Sequence, residues 1–204
     1  YSREASRLLD WIRDNGMTDE GDFGPRPQDA PHFFHYAYPY FSSWLIVGAH
    51  RMGRFEISHG GMEYMLGFWD SESGGFYSSP TERTSKTKQD LWVTAGCGRA
   101  ALYTGRLDVA RGVGFWMRNL MKAQPNYPEQ MYTVYSRAEG VHTVSDPEDE
   151  IRYVVNRDAN MDQFFFHPGI AGAYLARLYQ ATGEVEWLEL SKEYMRFVEG
   201  ANDF

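Results

Sequence analysis

The apolar positions of the chain follow a helical period in paired segments. In each pair an almost wholly apolar segment runs up to a glycine, and a segment with charges on one face follows. The apolar segments lie at 39–52, 90–104 and 164–182, and they end at Gly53, Gly105 and Gly183. A helix that is apolar all round is buried, whereas a one-faced helix packs on the outside. Each pair therefore predicts an inner helix, a tight turn and an outer helix.

The residues after each glycine support this plan. An aliphatic or aromatic residue stands two positions on, and an acidic residue follows it, namely Glu56, Asp108 and Glu186. A carboxylate in the first turn of a helix is stabilised by the helix dipole. Residues 2–15 read as a preceding outer helix. Repeated hairpins predict a ring or solenoid. We expect an all-α fold, an (α/α) toroid of hairpins as a partial or half ring. Residues 1–204 would form one domain, alone or within a larger (α/α)6 ring.

The three units are unequally spaced, which indicates an insertion. The glycines are 52 and then 78 residues apart (105 − 53 and 183 − 105), and the extra length falls between residues 124 and 160. There, 131–136 (MYTVYS) and 141–144 (VHTV) flank Glu139-Gly140, which predicts a β-hairpin. We place DSESGGFYSS (70–79) on the same rim of the ring. Gly74 and Gly75 would let the chain leave the helix, and Phe76-Tyr77 would form a short extended segment over the mouth.

Charge and cysteine content exclude several classes of function. A net charge of −8 without a basic stripe argues against a nucleic-acid partner. No apolar run reaches the length of a membrane span, so no membrane partner is expected. The single cysteine, Cys97, excludes an internal disulfide and a cysteine-based zinc cluster. It is expected to be a small packing residue, and the compartment stays open with the cytoplasm favoured. There is no phosphate loop, dinucleotide fingerprint, GxSxG elbow or HExxH motif.

Residues that can titrate or form hydrogen bonds cluster where the inner helices are predicted to begin. In a ring of hairpins these helix starts all face one rim. His35 and His167 suit proton transfer near neutral pH. Asp90 and Asp162 could act as paired carboxylates, and equally each could be a helix-capping or first-turn acid. The remaining candidates are polar or aromatic side chains that could hold a ligand: Lys88, Gln163, Trp92, Phe76, Tyr77 and Tyr36. Each of these also has a plain structural interpretation, as a solvated lysine or as part of an aromatic core.

Two stretches resemble known families. The run of Asp70, GGFYSS and Lys88-Gln89-Asp90-Leu91-Trp92, followed by Ala95, Ala100, Ala101, Leu102 and Tyr103, resembles the N-acylglucosamine 2-epimerase family of (α/α)6 toroids. That resemblance implies sugar isomerisation with histidines as acid and base. Residues 160–195 are similar to the unsaturated glucuronyl hydrolases, whose paired aspartates would fall on Asp90 and Asp162. The family ring needs six hairpins, whereas this chain supplies about three.

The resulting hypothesis is a sugar-active isomerase or epimerase that transfers a proton next to a carbonyl, with no cofactor. The alternatives are a hydrolase of unsaturated or acidic oligosaccharides using paired aspartates, a non-catalytic helical-repeat binding module, and a terpenoid-cyclase-like enzyme. The substrate would be a small molecule or an oligosaccharide. A half ring exposes apolar helix sides, which predicts a homodimer or completion by the remainder of a larger chain.

Overall fold

The computed structural model describes residues 2–23, 38–145, 147–158 and 163–201. Helices dominate these ranges, and short strands lie between them. The helices are α1 (Ser2–Trp11), α2 (Tyr38–Arg51), α3 (Phe55–Leu66), α4 (Leu91–Tyr103), α5 (Leu107–Lys122), α6 (Glu150–Tyr153), α7 (Phe166–Thr182) and α8 (Val185–Glu199). The strands are β1 (Gln89–Asp90), β2 (Gln130–Tyr132), β3 (Val134–Ser136), β4 (Gly140–Val141) and β5 (Val154–Asn156). A π-helical turn, Ile12–Gly16, continues α1, and a 3₁₀ turn, Pro147–Asp149, precedes α6.

The three predicted hairpins are confirmed as α2–α3, α4–α5 and α7–α8. The glycine between the two helices of each hairpin has a positive φ: 72° at Gly53, 78° at Gly105 and 72° at Gly183. Any other residue would strain in this left-handed conformation, which is why glycine ends each inner helix. The acidic residue predicted in the first turn of each outer helix is present there. The predicted outer helix at 2–15 is also confirmed by α1 and its π-helical turn.

The inner helices pack side by side, with α4 between α2 and α7. Helix α4 is buried along most of its length and carries small residues where its neighbours cross. A Cβ on Gly96 would meet the Tyr40 ring of α2, and one on Gly98 would meet the Tyr174 ring of α7. Cys97, between them, is fully buried and unbridged, which confirms its packing role. Small residues at these positions therefore set how closely the inner helices approach.

The core lies between the inner and outer helices and is rich in large aromatic side chains. Trp116, Trp187 and Phe197 from the outer helices meet Tyr174 from α7 there. The buried Tyr174 hydroxyl donates to the Ala110 carbonyl at 2.7 Å, and Tyr194 donates to that of Met117 at 2.9 Å. Burial raises the pKa of both phenols. These aromatic side chains are thus structural, and both of these buried hydroxyls have a partner.

The insertion forms two small antiparallel sheets, where the sequence predicted one hairpin. Strands β3 and β4 make the predicted turn around Gly140, but the arms are short: Tyr135 pairs with Val141 and Ser136 with Gly140. β3 also pairs with β1, which the apolar pattern had placed inside the second inner segment. β2 pairs instead with β5, so the expectation of one continuous strand over 131–136 is wrong. Thr133 divides the run because its N–H donates to the Tyr153 carbonyl while its own carbonyl accepts from Leu91.

Within the described ranges, no helix has the length and apolarity needed to span a bilayer. Among the same residues, no group of three or more His, Cys, Asp or Glu side chains is arranged to hold a metal ion.

Candidate functional site

The turn at 70–79 is organised around a buried carboxylate at its first residue. Asp70 accepts hydrogen bonds from Ser73 Oγ at 2.9 Å, Gln89 Nε2 at 3.0 Å and Arg137 Nε at 3.1 Å. Burial raises the pKa of Asp70, but these donors outweigh that effect and the net pKa is lowered. Gln89 also accepts from Trp116 Nε1 at 2.7 Å. The turn therefore ties the end of α3 to β1, to α5 and to the β3–β4 hairpin.

The two aromatics of this turn pack inward. Phe76 forms an isolated antiparallel bridge with Trp69 and is fully buried in the core. Tyr77 is also buried, and burial is the main cause of its raised pKa. The segment is extended, as expected, but neither ring has a face open to solvent over the mouth. The next residue, Ser78, contacts the segment that leads into α4, because its N–H donates to the Lys88 carbonyl at 2.9 Å.

Asp90 occupies the N-cap position of α4 without capping it. Its carboxylate is 0% exposed and forms a bidentate ion pair with Arg152, with Nε–Oδ1 at 2.7 Å and Nη2–Oδ2 at 2.8 Å. Ser78 Oγ donates a third hydrogen bond to Oδ2. Burial opposes the charge on Arg152, but Asp90 raises its pKa overall. Such a pair fixes the geometry between α4 and α6, since either charge alone would be costly to bury.

His167 lies beside this ion pair in the first turn of α7. Its ring stacks on Trp92 with centroids 5.8 Å apart and planes at 6°, and it is 1% exposed. Neither ring nitrogen has a hydrogen-bond partner among the described residues. Burial lowers the pKa of His167 to about 3, although the Asp90 carboxylate acts in the opposite direction. The imidazole is therefore neutral at physiological pH and a weak base.

An open cavity of about 250 Å³ lies on the solvent side of the ion pair. We call it the rim cavity. It is lined by Ser78, Ser79, Glu82, Lys86, Thr87, Lys88 and Arg152. Hydroxyl, carboxylate and ammonium groups thus converge where inner helix α4 begins. This combination suits a hydroxyl-rich polar ligand better than an apolar one.

Lys88 lines the rim cavity, and His142 lies close enough to the ion pair for the charges of Asp90 and Arg152 to act on it. Lys88 is exposed, and its Nζ lies 5.0 Å from the centroid of the Tyr153 ring, a cation–π contact. His142 Nε2 and Ser136 Oγ are 2.9 Å apart, and burial lowers the pKa of this histidine. The charges of Lys88, Asp90 and Arg152 all act on it. The β3–β4 hairpin therefore adds a second imidazole with a lowered pKa near the ion pair.

The structure brings four of the sequence candidates together at this rim: Lys88, Asp90, Trp92 and His167. Gln163 lies nearby and accepts a hydrogen bond from the Asn156 N–H of β5 at 2.9 Å. Phe76 and Tyr77 pack beneath the rim, as described above. His35, Tyr36 and Asp162 fall outside the described residues. The functional roles assigned to all of these residues remain predictions.

Sequence reasoning missed Arg152, Ser78 and Glu82. Arg152 is 62 residues from Asp90. A buried carboxylate at the start of an inner helix does demand a cationic partner, but the sequence does not say which one. The sequence indicates Ser78 and Glu82 only weakly as site residues, through their position in the polar stretch that precedes α4.

Comparison with known proteins bears on the fold. The structure is similar to that of the selenomethionine derivative of a GH76 α-mannanase from Bacteroides thetaiotaomicron, with a TM-score of 0.54 and 15% sequence identity. The match covers 81% of this chain, which spans only 44% of the length of that protein. No protein-family model and no curated protein matches the sequence. The likeness supports the helical-hairpin toroid expected from the sequence and gives no particular support to the epimerase family.

Proposed function

We propose that this chain is part of a carbohydrate-active enzyme of the toroid fold, and that the rim cavity belongs to its sugar site. The observation that carries the proposal is the convergence of hydroxyl, ammonium and carboxylate groups at the start of α4. The structural neighbour, named as an α-mannanase, supports the same class of substrate. Because the chain spans less than half of that neighbour, other hairpins or a second copy would complete the cleft.

Hydrolysis of a glycosidic bond is the reaction that we favour over isomerisation. The isomerase hypothesis uses His35 or His167 as acid or base, and His35 lies outside the described residues. His167 is a poor candidate, because a buried imidazole with a pKa of about 3 has little proton affinity for that task. Hydrolysis instead needs two carboxyl groups on either side of the scissile bond. Glu82 places one carboxylate in the rim cavity. Asp162, which precedes α7, stays our candidate for the other.

In this proposal the buried Asp90 and Trp92 position the cavity and do not touch the sugar. Asp90 has both carboxylate oxygens engaged by Arg152, so it acts as a positioning residue for the start of α4. Trp92 lies against Tyr40, with ring centroids 4.3 Å apart, and against His167, so it supports the cavity from below. Lys88 is exposed at the opening and would bind sugar oxygens directly.

The test is to incubate the chain with a panel of oligosaccharides that includes α-mannan fragments, and to separate the products by chromatography. We expect new reducing ends, and a loss of at least 100-fold in kcat for Glu82→Gln with unchanged circular dichroism. Glu20→Gln, at an exposed position after α1, is the matched control and should keep full activity. Aldose–ketose or epimer interconversion without chain cleavage would support the isomerase instead. Saturable binding without turnover by a folded chain would favour the non-catalytic binding module, and the absence of both binding and turnover would overturn the carbohydrate-active proposal.

A further inference from the structure

The segment that forms one wall of the rim cavity is basic within an acidic protein. Residues 81–88 (TERTSKTK) contain three basic residues, Arg83, Lys86 and Lys88, and one acidic residue, Glu82. Their net charge is +2, whereas the whole chain carries −8. Lys86 and Lys88 line the cavity itself. A local charge opposite to that of the whole molecule raises the local concentration of anions.

We propose that the rim cavity binds an anionic group on the sugar substrate, a carboxylate or a sulfate ester, and that Lys86 and Lys88 supply its counter-charge. This inference rests on the proposed function, and it names the class of sugar that the site takes. The shared chemistry is an oxyanion on a sugar ring, which distinguishes the substrate from a neutral mannan.

The charges around the cavity leave a net positive charge at the two lysines. Lys86, Lys88 and Arg152 contribute +3, and the lining Glu82 with the adjoining Asp90 contributes −2, so one positive charge remains. Arg152 is 5% exposed and has two of its nitrogens on Asp90, so its charge is largely matched inside the protein. The ammonium groups at the opening are opposed only by Glu82 among the lining residues.

The backbone that carries the lysines is fixed on both sides. The Ser78 N–H donates to the Lys88 carbonyl at 2.9 Å, and the Ala138 N–H of the hairpin turn donates to the Ser85 carbonyl at 2.8 Å. The Thr87 N–H closes a turn onto the Thr84 carbonyl at 3.0 Å. Lys86 and Lys88 are thus held by a defined loop, although their side chains reach solvent. Ammonium groups on such a loop act as point charges for an anion.

The size of the cavity suits one charged sugar unit. Its volume of about 250 Å³ lies below the range of roughly 300–1,000 Å³ that is typical of pockets for drug-sized ligands. The hydroxyls of Ser79 and Thr87 stand beside the ammonium groups in the lining. Together these groups offer an electrostatic anchor for the anion and hydrogen bonds for the neighbouring hydroxyls.

The experiment measures affinity by calorimetry for uronic acid oligosaccharides built from galacturonate, glucuronate, or mannuronate and guluronate. Each is paired with its carboxyl-reduced counterpart, and sulfated versions of the reduced sugars form a third arm. We expect at least one acidic oligosaccharide to bind tenfold or more tightly than its reduced partner. Lys88→Gln and Lys86→Gln should each remove a several-fold part of that excess, and 0.5 M NaCl should remove most of it. Lys122→Gln, at the exposed end of α5, is the matched control and should change nothing.

The outcomes separate this inference from the proposed function. Glu82→Gln should abolish turnover yet tighten acidic oligosaccharides several-fold, because it removes the one opposing charge from the lining. If the sulfated oligosaccharides bind most tightly, the anion is assigned as a sulfate ester. Equal binding of acidic and reduced sugars, unaffected by either lysine variant, would overturn the anionic site and leave the sugar-active proposal standing. Failure of every carbohydrate to bind the folded chain would overturn both.

Discussion

At the scale of single residues, the Asp90–Arg152 pair is a buried ion pair between α4 and α6. Asp90 is 0% exposed, and the bidentate contact with Arg152 satisfies both of its oxygens. Arg152→Met leaves the carboxylate buried and without its counter-ion. We expect a loss of about 3–5 kcal/mol in the free energy of unfolding, measured by urea titration.

Two variants control for this prediction. Lys192→Met breaks an exposed ion pair with Glu189 and should cost under about 1 kcal/mol. The double variant Asp90→Leu with Arg152→Met removes both charges, and it should be more stable than Arg152→Met alone. If Arg152→Met proved as mild as Lys192→Met, the pair would have to be solvated in solution and would not organise the rim.

Burial of His167 should make the stability of the fold sensitive to acid. Its folded-state pKa of about 3 lies below the ordinary 6.5 because burial disfavours the imidazolium. The unfolded chain therefore binds this proton more readily, so the stabilisation is complete above pH 6.5 and is lost as the pH falls towards 3. Between pH 7 and 4.5 this group alone should cost about 3 kcal/mol of unfolding free energy, roughly 1.4 kcal/mol for each pH unit below 6.5.

The variant His167→Phe isolates this effect. It keeps an aromatic ring against Trp92 and removes the titration, so its stability at pH 4.5 should exceed that of the unmodified chain by about the same 3 kcal/mol. Parallel pH profiles for His167→Phe and the unmodified chain would show that His167 is hydrated or partnered in solution.

At the scale of elements, the glycine turn of residues 70–79 is fixed by its contact with α5. Gly74 has φ 88°, and a Cβ there would overlap the carbonyl oxygen of Gly112. Gly74→Ala combines backbone strain with a clash against a rigid helix, so it should cost at least about 2 kcal/mol. Gly53→Ala has the same kind of φ but open space around the new methyl, and about 1 kcal/mol is expected. Equal losses in thermal unfolding would mean that the turn does not pack on α5.

The helical elements were predictable from the sequence, whereas the small sheets were predictable only in part. The apolar runs that end at Gly53, Gly105 and Gly183 predict a buried helix followed by a left-handed turn. Both features depend on neighbouring residues of the chain. The pairing of β2 with β5 joins residues far apart in the chain, and Gln130 and Asn156 are 26 positions apart (156 − 130). Nothing in either three-residue strand specifies its partner. Asp90 and His167 could be found because helix starts can be located, while Arg152 is defined only by the tertiary fold.

At the scale of the whole molecule, the described inner helices present a partly apolar face. A groove of about 270 Å³ crosses α2, α4 and α7, and it is lined by Tyr40, Ser43, Trp44, Val47, Gly48, Arg51, Gly96, Arg99 and Ile170. Trp44 on α2 is 63% exposed, and Phe166 at the start of α7 is 47% exposed. In a complete ring such side chains would face further hairpins, since exposed apolar clusters normally mark an interface.

This face predicts self-association of the 204-residue chain. Two half rings related by a two-fold axis would cover both Trp44 and Phe166, because an isologous interface buries the same patch on each copy. Light scattering after size exclusion should give the mass of a dimer at micromolar concentration. Trp44→Glu should shift the mass to that of a monomer, whereas Phe55→Glu, which changes a half-exposed aromatic on outer helix α3, should leave the dimer intact. A monomer at every concentration would show that this face is open in the isolated chain. The sugar site would then have to bind its ligand without a second half ring, as the rim cavity within one chain permits.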